Sequence, residues 1–344
     1  MRTAMGSLAG PGATRFVLAL LVLCYHFTPL RSGNFAVCCF YILSGYWITK
    51  MWRHKYSKAH QPQLVFLVSR WLRIAPMLLL CTALILILPI DRSGATPGWL
   101  LRQAIIIGCT GPYVPLAPAW SLDVELQFYL AFAICAPVLF SSKHPSRIIL
   151  WLFAISLVIS LGAAFVIGNL IKPWLWVWLP LFLAGMWIET ASYKPSKKHI
   201  YGSIVLLTFT LVLCAFIPAL LPFTWHLPRV KMSNEQLTLL TFRTPADLVA
   251  SLVCIPVLAA NLDYKPTNVD TFLGRMSFPL YLWHWFPHTL LVLGMLNISG
   301  LAWFNTLVAM MTSLVGGALL TLVDMRTDRV RSQAISGLNQ MLNK

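Results

Sequence analysis

Two ionisable residues, Arg15 and His26, stand at the two ends of an apolar stretch, RFVLALLVLCYH. At about 100° per residue, eleven helical steps make roughly three turns, so both side chains fall on nearly one face, about 16 Å apart. Ionisable groups inside a membrane usually face a cavity or a partner, and neutral imidazole is a common general base. The pattern favours two roles: Arg15 binds an anionic group, and His26, deeper in the membrane, accepts a proton. The alternative is an interfacial arginine and a packing histidine.

A second pair of cations, Arg70 and Arg73, lies in the run SRWLRIAP. Three residues apart on a helix, the two side chains share one face. Two guanidinium groups on one face match the oxygens of a phosphate, so the pair predicts a site for a phosphorylated ligand. The alternative is that both arginines mark the boundary of a membrane helix.

Two acids, Asp123 and Glu125, lie in the run WSLDVELQFYL at the predicted start of a membrane helix. Either Ser121 or Asp123 is able to cap this helix, because its N-terminus favours an oxygen acceptor and a carboxylate. Glu125 lies deeper, beside aromatic residues, where capping does not explain it. We expect Glu125 to orient His26 or to hold a hydroxyl group of a substrate.

Two further motifs place polar side chains on predicted membrane helices. In FYILSGY, Gly45 permits a close approach of two backbones and Ser44 is able to hydrogen-bond across helices, although simple helix packing explains both. In SFPLYLWHWFP, His284 lies between two tryptophans near mid-depth. His288 follows four residues later, but no acid with metal-ligand spacing accompanies the pair, so we expect no metal site.

The composition is that of a membrane protein, since 58% of the 344 residues are hydrophobic and 10% are charged. The net charge of +16 has two explanations: Lys and Arg collect in cytoplasmic loops, and a basic face attracts anionic lipids or a polyphosphate-bearing substrate. We expect no nucleic-acid partner. We interpret the cysteines as small buried hydrophobes, because nearly all lie in apolar runs. They are Cys24, Cys38, Cys39, Cys81, Cys109, Cys135, Cys214 and Cys254.

These residues require an all-α fold, a polytopic membrane bundle of about ten helices with both termini in the cytoplasm. The densest cationic cluster, between the second and third helices, sets this orientation, which puts Arg15 near the inner surface and His26 past the midplane. The expected spans are about 14–30, 35–51, 74–90, 120–140, 148–170, 174–191, 200–222, 246–262, 278–296 and 301–323.

Three further segments complete this organisation. We expect residues 1–13 to be a flexible leader, residues 14–325 to form one transmembrane domain, and residues 326–344 to be a short basic cytoplasmic tail. The apolar stretch at 104–109 is too short to span a bilayer, and we expect it to be re-entrant.

Taken together, five motifs resemble those of acyltransferase family 3, a family of polytopic membrane acyltransferases. Its members carry an Arg and a His separated by ten residues on the first helix. They then carry FFxLSGF-like, RxxRIxP, WSLxVExQFY and SxxLYLWH runs. The corresponding runs of this sequence begin at Arg15, Phe40, Arg70, Trp120 and Ser277. Each motif is weak alone, but five in the same order over nearly the whole chain are specific.

The resemblance implies that His26 and Glu125 are catalytic and that Arg70 and Arg73 hold the phosphates of an acyl-CoA, with Arg15 assisting at the entrance. It also implies a cavity lined by other residues of the motifs. They are Ser44, Trp120, Asp123, Tyr129, Tyr281 and His284. No permanently bound cofactor is implied. Acetyl-CoA or another acyl-CoA is the expected co-substrate, and a hydroxyl of a glycan or glycolipid, such as lipopolysaccharide or exopolysaccharide, is the expected acceptor.

The resemblance further implies a multi-pass protein of the bacterial inner membrane that contacts lipids and envelope polysaccharide assembly proteins. Some relatives carry a C-terminal soluble hydrolase-like domain, whereas this sequence ends at Lys344, so we expect the membrane domain or a separate partner to complete the transfer. Two other classes stay open: a transporter or flippase for an anionic lipid or glycan intermediate, and a catalytically inactive scaffold. Release of CoA thiol only when glycan is present would separate the enzyme from the transporter.

Overall fold

A computed structural model describes residues 9–28, 30, 32–90, 96–106, 115–167, 174–216, 243–262 and 264–342. Within these residues the chain forms thirteen α-helices, two short 3₁₀ turns and no β-strand, so the predicted all-α class is confirmed. The helices are α1 (Pro11–Phe27), α2 (Gly33–His54), α3 (Pro62–Leu86), α4 (Pro97–Ile105), α5 (Trp120–Ser141), α6 (Pro145–Ile167), α7 (Leu175–Thr190), α8 (Lys197–Phe216), α9 (Arg243–Val253), α10 (Ile255–Leu262), α11 (Asn268–Trp283), α12 (Trp285–Val292) and α13 (Ala302–Leu342). The 3₁₀ turns cover Tyr56–Lys58 and Ala117–Ala119.

Four helical stretches among the described residues are long and apolar enough to cross a bilayer. They are Pro62–Leu86, Ala117–Ser141, Pro145–Ala163 and Ala302–Leu342. Two shorter helices, Pro11–Phe27 and Leu175–Thr190, are also apolar. The predictions of ten spans and of cytoplasmic termini stay predictions.

The chain divides into two compact units. Unit 1 comprises Met1–Lys50 and Ser142–Gly274, and unit 2 comprises Met51–Ser141 and Arg275–Lys344. Each unit has its own buried side chains, and each carries part of the predicted site.

In unit 1, the backbones of α2 and α7 approach closely. A Cβ atom on Gly45 would overlap the carbonyl of Phe182, and a Cβ atom on Gly185 would overlap the carbonyl of Ile42. Beside this contact the rings of Tyr41 and Phe182 pack with 4.7 Å between their centroids. Small residues commonly allow membrane helices to associate in this way. The close backbone approach predicted for Gly45 is therefore confirmed.

In unit 2, the side chain of Phe66 is fully buried within a cluster of aromatic rings. The centroids of its neighbours lie 5.4 to 5.9 Å from that of Phe66. These neighbours are Trp52, Tyr56, Tyr129 and Phe132. Rings at such distances pack favourably beyond the area they bury. The cluster joins α3 to α5 and to the end of α2.

The third helix begins earlier than the hydropathy of the sequence predicts. It starts at Pro62, not near residue 74, and proline suits the first helical position because its missing N–H is not needed there. Arg70 and Arg73 therefore lie inside α3 and not before it. Because both residues are polar, hydropathy does not include them in the predicted helix. Both side chains have partners within unit 2 that the sequence pattern does not reveal.

Two helices predicted as continuous are each divided at one residue, Cys254 and His284. A proline follows shortly after each, Pro256 and Pro287, and a residue without an N–H removes one helical hydrogen bond. At the second break the bond from the N–H of His284 to the carbonyl of Leu280 persists at 3.1 Å, so the interruption is local.

Both predicted terminal segments contain helical residues. The first helix already begins at Pro11, within the predicted leader, and residues 1–8 lie outside the described residues. At the other end α13 continues through the predicted tail as far as Leu342. Of the predicted re-entrant stretch, residues 104 and 105 close α4, and residues 107–109 lie outside the described residues.

Candidate functional site

The helix that carries Arg15 and His26 is anchored at its N-terminus by an acid of α11. The carboxylate of Asp270 accepts a hydrogen bond from the N–H of Gly12 at 3.1 Å and another from the N–H of Ala13 at 2.8 Å. The first N–H groups of a helix have no partner within it, and its positive end favours a carboxylate. Asp270 therefore caps α1 from a segment far along the chain.

Asn261, the penultimate residue of α10, adds a second set of contacts to the same helix end. Its Oδ1 accepts from the N–H of Ala9 at 3.3 Å, and its Nδ2 donates to Oγ1 of Thr14 at 3.0 Å. The Thr14 hydroxyl in turn donates to the carbonyl of Gly10 at 2.9 Å. We call residues 9–14 with Asp270 and Asn261 the N-terminal clamp.

Three glycines allow the close approach at this helix end: two belong to the clamp and the third, Gly274, lies next to it. A Cβ atom on Gly12 would overlap the backbone carbonyl of Asp270, and one on Gly10 would overlap the carboxylate of the same residue. A Cβ atom on Gly274 would lie 2.9 Å from the Cα of Gly12, closer than real contacts allow. The start of α1 is therefore fixed by backbone contact as well as by hydrogen bonds.

Arg15 and His26 both lie on α1, which runs without a break from Pro11 to Phe27. Both side chains are half-buried. The ring of Tyr25 meets that of His26 edge-on, with 4.8 Å between the centroids. His26 is the basic residue in the last turn of this helix. In the same unit, Ser44 is half-buried on α2.

Arg70, in unit 2, is held by neutral groups. Its Nη2 donates to the hydroxyl of Tyr56 at 3.0 Å and lies 3.7 Å from the sulfur of Met51. Tyr56 is fixed by a hydrogen bond of 2.7 Å to Ser69, and its ring centre lies 5.8 Å from the guanidinium carbon of Arg70. Arg70 makes no ion pair with any residue that the structure describes. Its charge is therefore not neutralised by a carboxylate of this part of the chain.

Arg73, in contrast, is part of a series of ion pairs. Its Nη1 donates to Oδ2 of Asp324 at 3.0 Å, and Oδ1 of Asp324 accepts from Arg331 at 2.9 Å. Arg331 also pairs with Asp328, and Asp328 lies 3.3 Å from Nη1 of Arg275. We call these five residues the ion-pair chain. Three guanidinium groups and two carboxylates leave it with one net positive charge.

The first turn of α5 is tied to α11 by two hydroxyl groups. Oγ of Ser121 and the hydroxyl of Tyr281 lie 2.7 Å apart, and both are buried. The carbonyl of Pro118 lies 3.1 Å from Oγ of Ser121 and 2.9 Å from the hydroxyl of Tyr281, so one hydroxyl donates to this carbonyl and the other donates to its hydroxyl neighbour. The cluster therefore fixes the start of the helix that carries Asp123 and Glu125.

Both acids of α5 contact a side chain one turn further along the helix. Oδ1 of the buried Asp123 accepts from the amide of Gln127 at 3.1 Å. Oε1 of the half-buried Glu125 accepts from the hydroxyl of Tyr129 at 2.5 Å. Residues four apart are neighbours on a helix surface, so these contacts fix the direction of both carboxylates. Trp120, the first residue of α5, is half-buried.

His284 is fully buried at the break between α11 and α12. Its Nδ1 lies 3.2 Å from the carbonyl of Leu280, and because a carbonyl only accepts, this contact requires a proton on Nδ1. In the neutral ring Nε2 is then an acceptor. The rings of Tyr281 and Trp285 lie next to it, at 6.2 and 6.4 Å between centroids.

The two units divide the predicted site residues. Arg15, His26 and Ser44 belong to unit 1. The others belong to unit 2: Arg70, Arg73, Trp120, Asp123, Glu125, Tyr129, Tyr281 and His284. Unit 2 brings Glu125 into contact with Tyr129, and the ring of His284 next to that of Tyr281. Among the described residues no three His, Cys, Asp or Glu side chains are grouped to hold a metal ion.

The sequence motifs do not include four residues that organise these surroundings: Asp270, Asn261, Asp324 and Tyr56. Asp270 and Asp324 are two of only ten acids in the sequence, and an acid beside an apolar helix is a signal that could have marked them. Asn261 and Tyr56 carry no such signal, because their roles depend on partners in other helices.

An all-helical chain with four apolar helices of bilayer length is an integral membrane protein. A family model described as an acyltransferase domain matches residues 9–323. The chain therefore belongs to acyltransferase family 3, and the resemblance seen in its five motifs is confirmed.

The chain is also similar to curated proteins, among them the O-acetyltransferase OatA of Staphylococcus aureus strains NCTC 8325, COL and MRSA252. Each of these three is 26% identical over 311 residues, which cover 81% of this chain and 50% of the relative. The chain thus spans about half the length of these relatives. No solved structure gives a significant match.

Proposed function

We propose that this protein is a membrane O-acyltransferase that moves an acetyl group from cytosolic acetyl-CoA to a hydroxyl of an envelope polysaccharide. Membership of an acyltransferase family and the similarity to proteins named O-acetyltransferase support the reaction class. The observation that carries the proposal is the setting of Arg70, whose guanidinium is oriented by neutral partners and pairs with no carboxylate of the described residues.

The donor end of the site uses the cations. Arg70 is fixed in direction by Tyr56, so its remaining donors are pre-organised for phosphate oxygens. Arg73, one turn further on, adds a second guanidinium to the same helix face. Arg15 lines the entrance on α1. A positive inner surface of this kind would also raise the local concentration of an anionic donor.

The acyl transfer itself needs one proton acceptor. His26 takes the proton of the acceptor hydroxyl while the oxygen attacks the carbonyl carbon of the thioester. The carbon–sulfur bond breaks, an ester forms, and the departing sulfur receives the proton from the imidazolium, so CoA leaves as a thiol. Glu125, held in direction by Tyr129, orients the imidazole or the acceptor. His284 and Tyr281 line the cavity.

The proposed setting is the bacterial inner membrane, with about ten spans and both termini in the cytoplasm. In that orientation the cations meet a donor made in the cytoplasm, and His26 lies toward the outer side, where polysaccharide precursors are exposed. Membrane lipids and proteins of polysaccharide assembly are the expected neighbours. Ser44, Trp120 and Asp123 are proposed to line the path between the two substrates.

The test uses the purified chain in lipid vesicles with acetyl-CoA and a polysaccharide acceptor. Free CoA thiol and the mass of the glycan are measured together. His26→Ala should lower the rate of acetyl transfer about 10²–10⁴-fold, because it removes the general base. His144→Ala is the matched control, since that histidine is exposed at the start of α6 and should leave the rate unchanged.

Two results contradict the proposal. One is normal transfer by His26→Ala under conditions in which the His144→Ala control is also active. The other is movement of a labelled lipid or glycan across the vesicle membrane with no thiol released, which is the behaviour of a transporter.

A further inference from the structure

Asp324 is an acid in the last membrane helix, and its side chain is only 2% exposed. A charge in such a place is costly unless it is paired, and in membrane proteins it often has a functional role. Each of its two oxygens meets a different guanidinium: Arg331 at 2.9 Å and Arg73 at 3.0 Å. Both oxygens of this carboxylate are therefore engaged.

The two arginines that meet Asp324 are held differently. Arg331 is 10% exposed and pairs with Asp328 as well. Arg73 is 30% exposed and bonds Asp324 through Nη1 alone, with its guanidinium carbon 5.8 Å from the ring centre of Phe278. A guanidinium has five N–H donors in a rigid fork. Nε and Nη2 of Arg73 donate to no residue that the structure describes, so one edge of the fork is available to an anion.

We propose that Asp324 is a positioning residue that directs this edge of Arg73 toward a phosphate of the donor. The proposal rests on the proposed function, in which that donor is acyl-CoA. By holding Nη1, Asp324 fixes the plane of the Arg73 guanidinium, and Arg331 fixes Asp324 in turn. Asp324 itself touches no substrate.

The first test is Asp324→Asn, which keeps the shape of the side chain but removes its charge and one acceptor oxygen. The KM for acetyl-CoA should rise about tenfold, because Arg73 loses its orienting partner. The kcat at saturating donor should change less than about threefold. Acetylpantetheine carries the thioester without the nucleotide phosphates of CoA, so its KM should stay the same.

If the ion pair between Asp324 and Arg73 only stabilised the fold, the kinetic constants of Asp324→Asn would change differently. The substitution would lower the yield or kcat and leave the KM for acetyl-CoA unchanged, or it would raise the KM for both donors equally. Either pattern overturns the proposal. Asp328→Asn is the matched control: this acid lies one turn further along α13 and contacts Arg331 and Arg275, but not Arg73. Its KM for acetyl-CoA should rise much less than that of Asp324→Asn, because the contact between Arg73 and Asp324 is kept.

A second variant, Arg73→Lys, keeps the proposal testable should Asp324→Asn fail to fold. Lysine retains the charge and the pairing with Asp324 but not the planar fork that binds phosphate through two donors. The KM should rise for acetyl-CoA alone, and an unchanged KM overturns the proposal. If the wild type does not turn over acetyl-CoA, the proposed function fails as well. If the wild type turns it over and both variants match it, the roles of Asp324 and Arg73 fail, whereas the proposed transfer reaction stands.

Discussion

The N-terminal clamp of unit 1 and the ion-pair chain of unit 2 both fix a helix that carries a proposed site residue, but they use different physics. In the clamp, the carboxylate of Asp270 and the amide of Asn261 form hydrogen bonds with the start of α1. Glycines there allow the backbones to come into contact. The ion-pair chain consists of charged side chains on α3, α11 and α13. Their exposure rises from 2% at Asp324 to 39% at Arg275.

This difference predicts how the stability of each region responds to substitutions and to salt. Backbone contacts cannot relax by rotating a side chain, and hydrogen bonds to buried N–H groups are little affected by salt. Exposed ion pairs are screened by salt and contribute little at physiological ionic strength. We therefore expect large, salt-independent effects from the clamp and small, salt-dependent effects from the exposed end of the ion-pair chain.

The largest effect should come from Gly12→Ala. The new Cβ atom would overlap the backbone carbonyl of Asp270, so α1 or α11 must shift, and we expect a loss of about 3 kcal/mol of stability. Thermal unfolding of the purified protein in detergent measures this loss. Transfer activity should fall in parallel, because α1 carries His26.

The control for this substitution is Gly162→Ala, at an exposed position of α6 where nothing lies within 4 Å of the added atom. Alanine should be neutral or slightly stabilising there, because it favours a helix more than glycine does. Equal melting temperatures for the Gly12 and Gly162 variants would contradict the close contact at the clamp.

An intermediate effect is expected from Asp270→Ala. The substitution leaves the N–H groups of Gly12 and Ala13 without their acceptor and removes the cap of α1, which should cost about 2 kcal/mol. Asp270→Asn keeps one acceptor oxygen and should lose about half as much. The melting temperatures are measured at low and at high salt. An effect of Asp270→Ala that disappears at high salt would show that the carboxylate acts as a distant charge and not as a cap.

Local patterns in the sequence predict much of the fold. Long apolar runs identify the helices, and the bounds of α5 agree with the predicted span to within about one residue. The start of α3 is not predicted in this way. Its first turns carry Ser69 and Arg70, whose polarity is satisfied by Tyr56, a partner that hydropathy does not reveal.

The candidate site shows the same division between local and distant information. Spacing along one helix places Arg15 and His26 on α1, and family motifs select the residues of α5. The partners that hold them are far away in the sequence: Asp324 lies 251 positions from Arg73, and Asp270 lies 258 from Gly12. A single sequence contains the residues of such pairs but no local signal that joins them.

The smallest effect is expected at the exposed end of the ion-pair chain. Arg275 lies 3.3 Å from Asp328, with 39% and 37% of the two side chains exposed, so Arg275→Gln should cost less than about 1 kcal/mol. At about 1 M salt the screening length is roughly 3 Å, and the difference in melting temperature from the wild type should vanish. Arg329→Gln is the control, because Arg329 is exposed on α13 and pairs with no acid among the described residues. A loss of stability in Arg275→Gln that persists at high salt would show that water and salt do not screen this ion pair. The contrast between the clamp and the exposed end of the ion-pair chain would then be wrong.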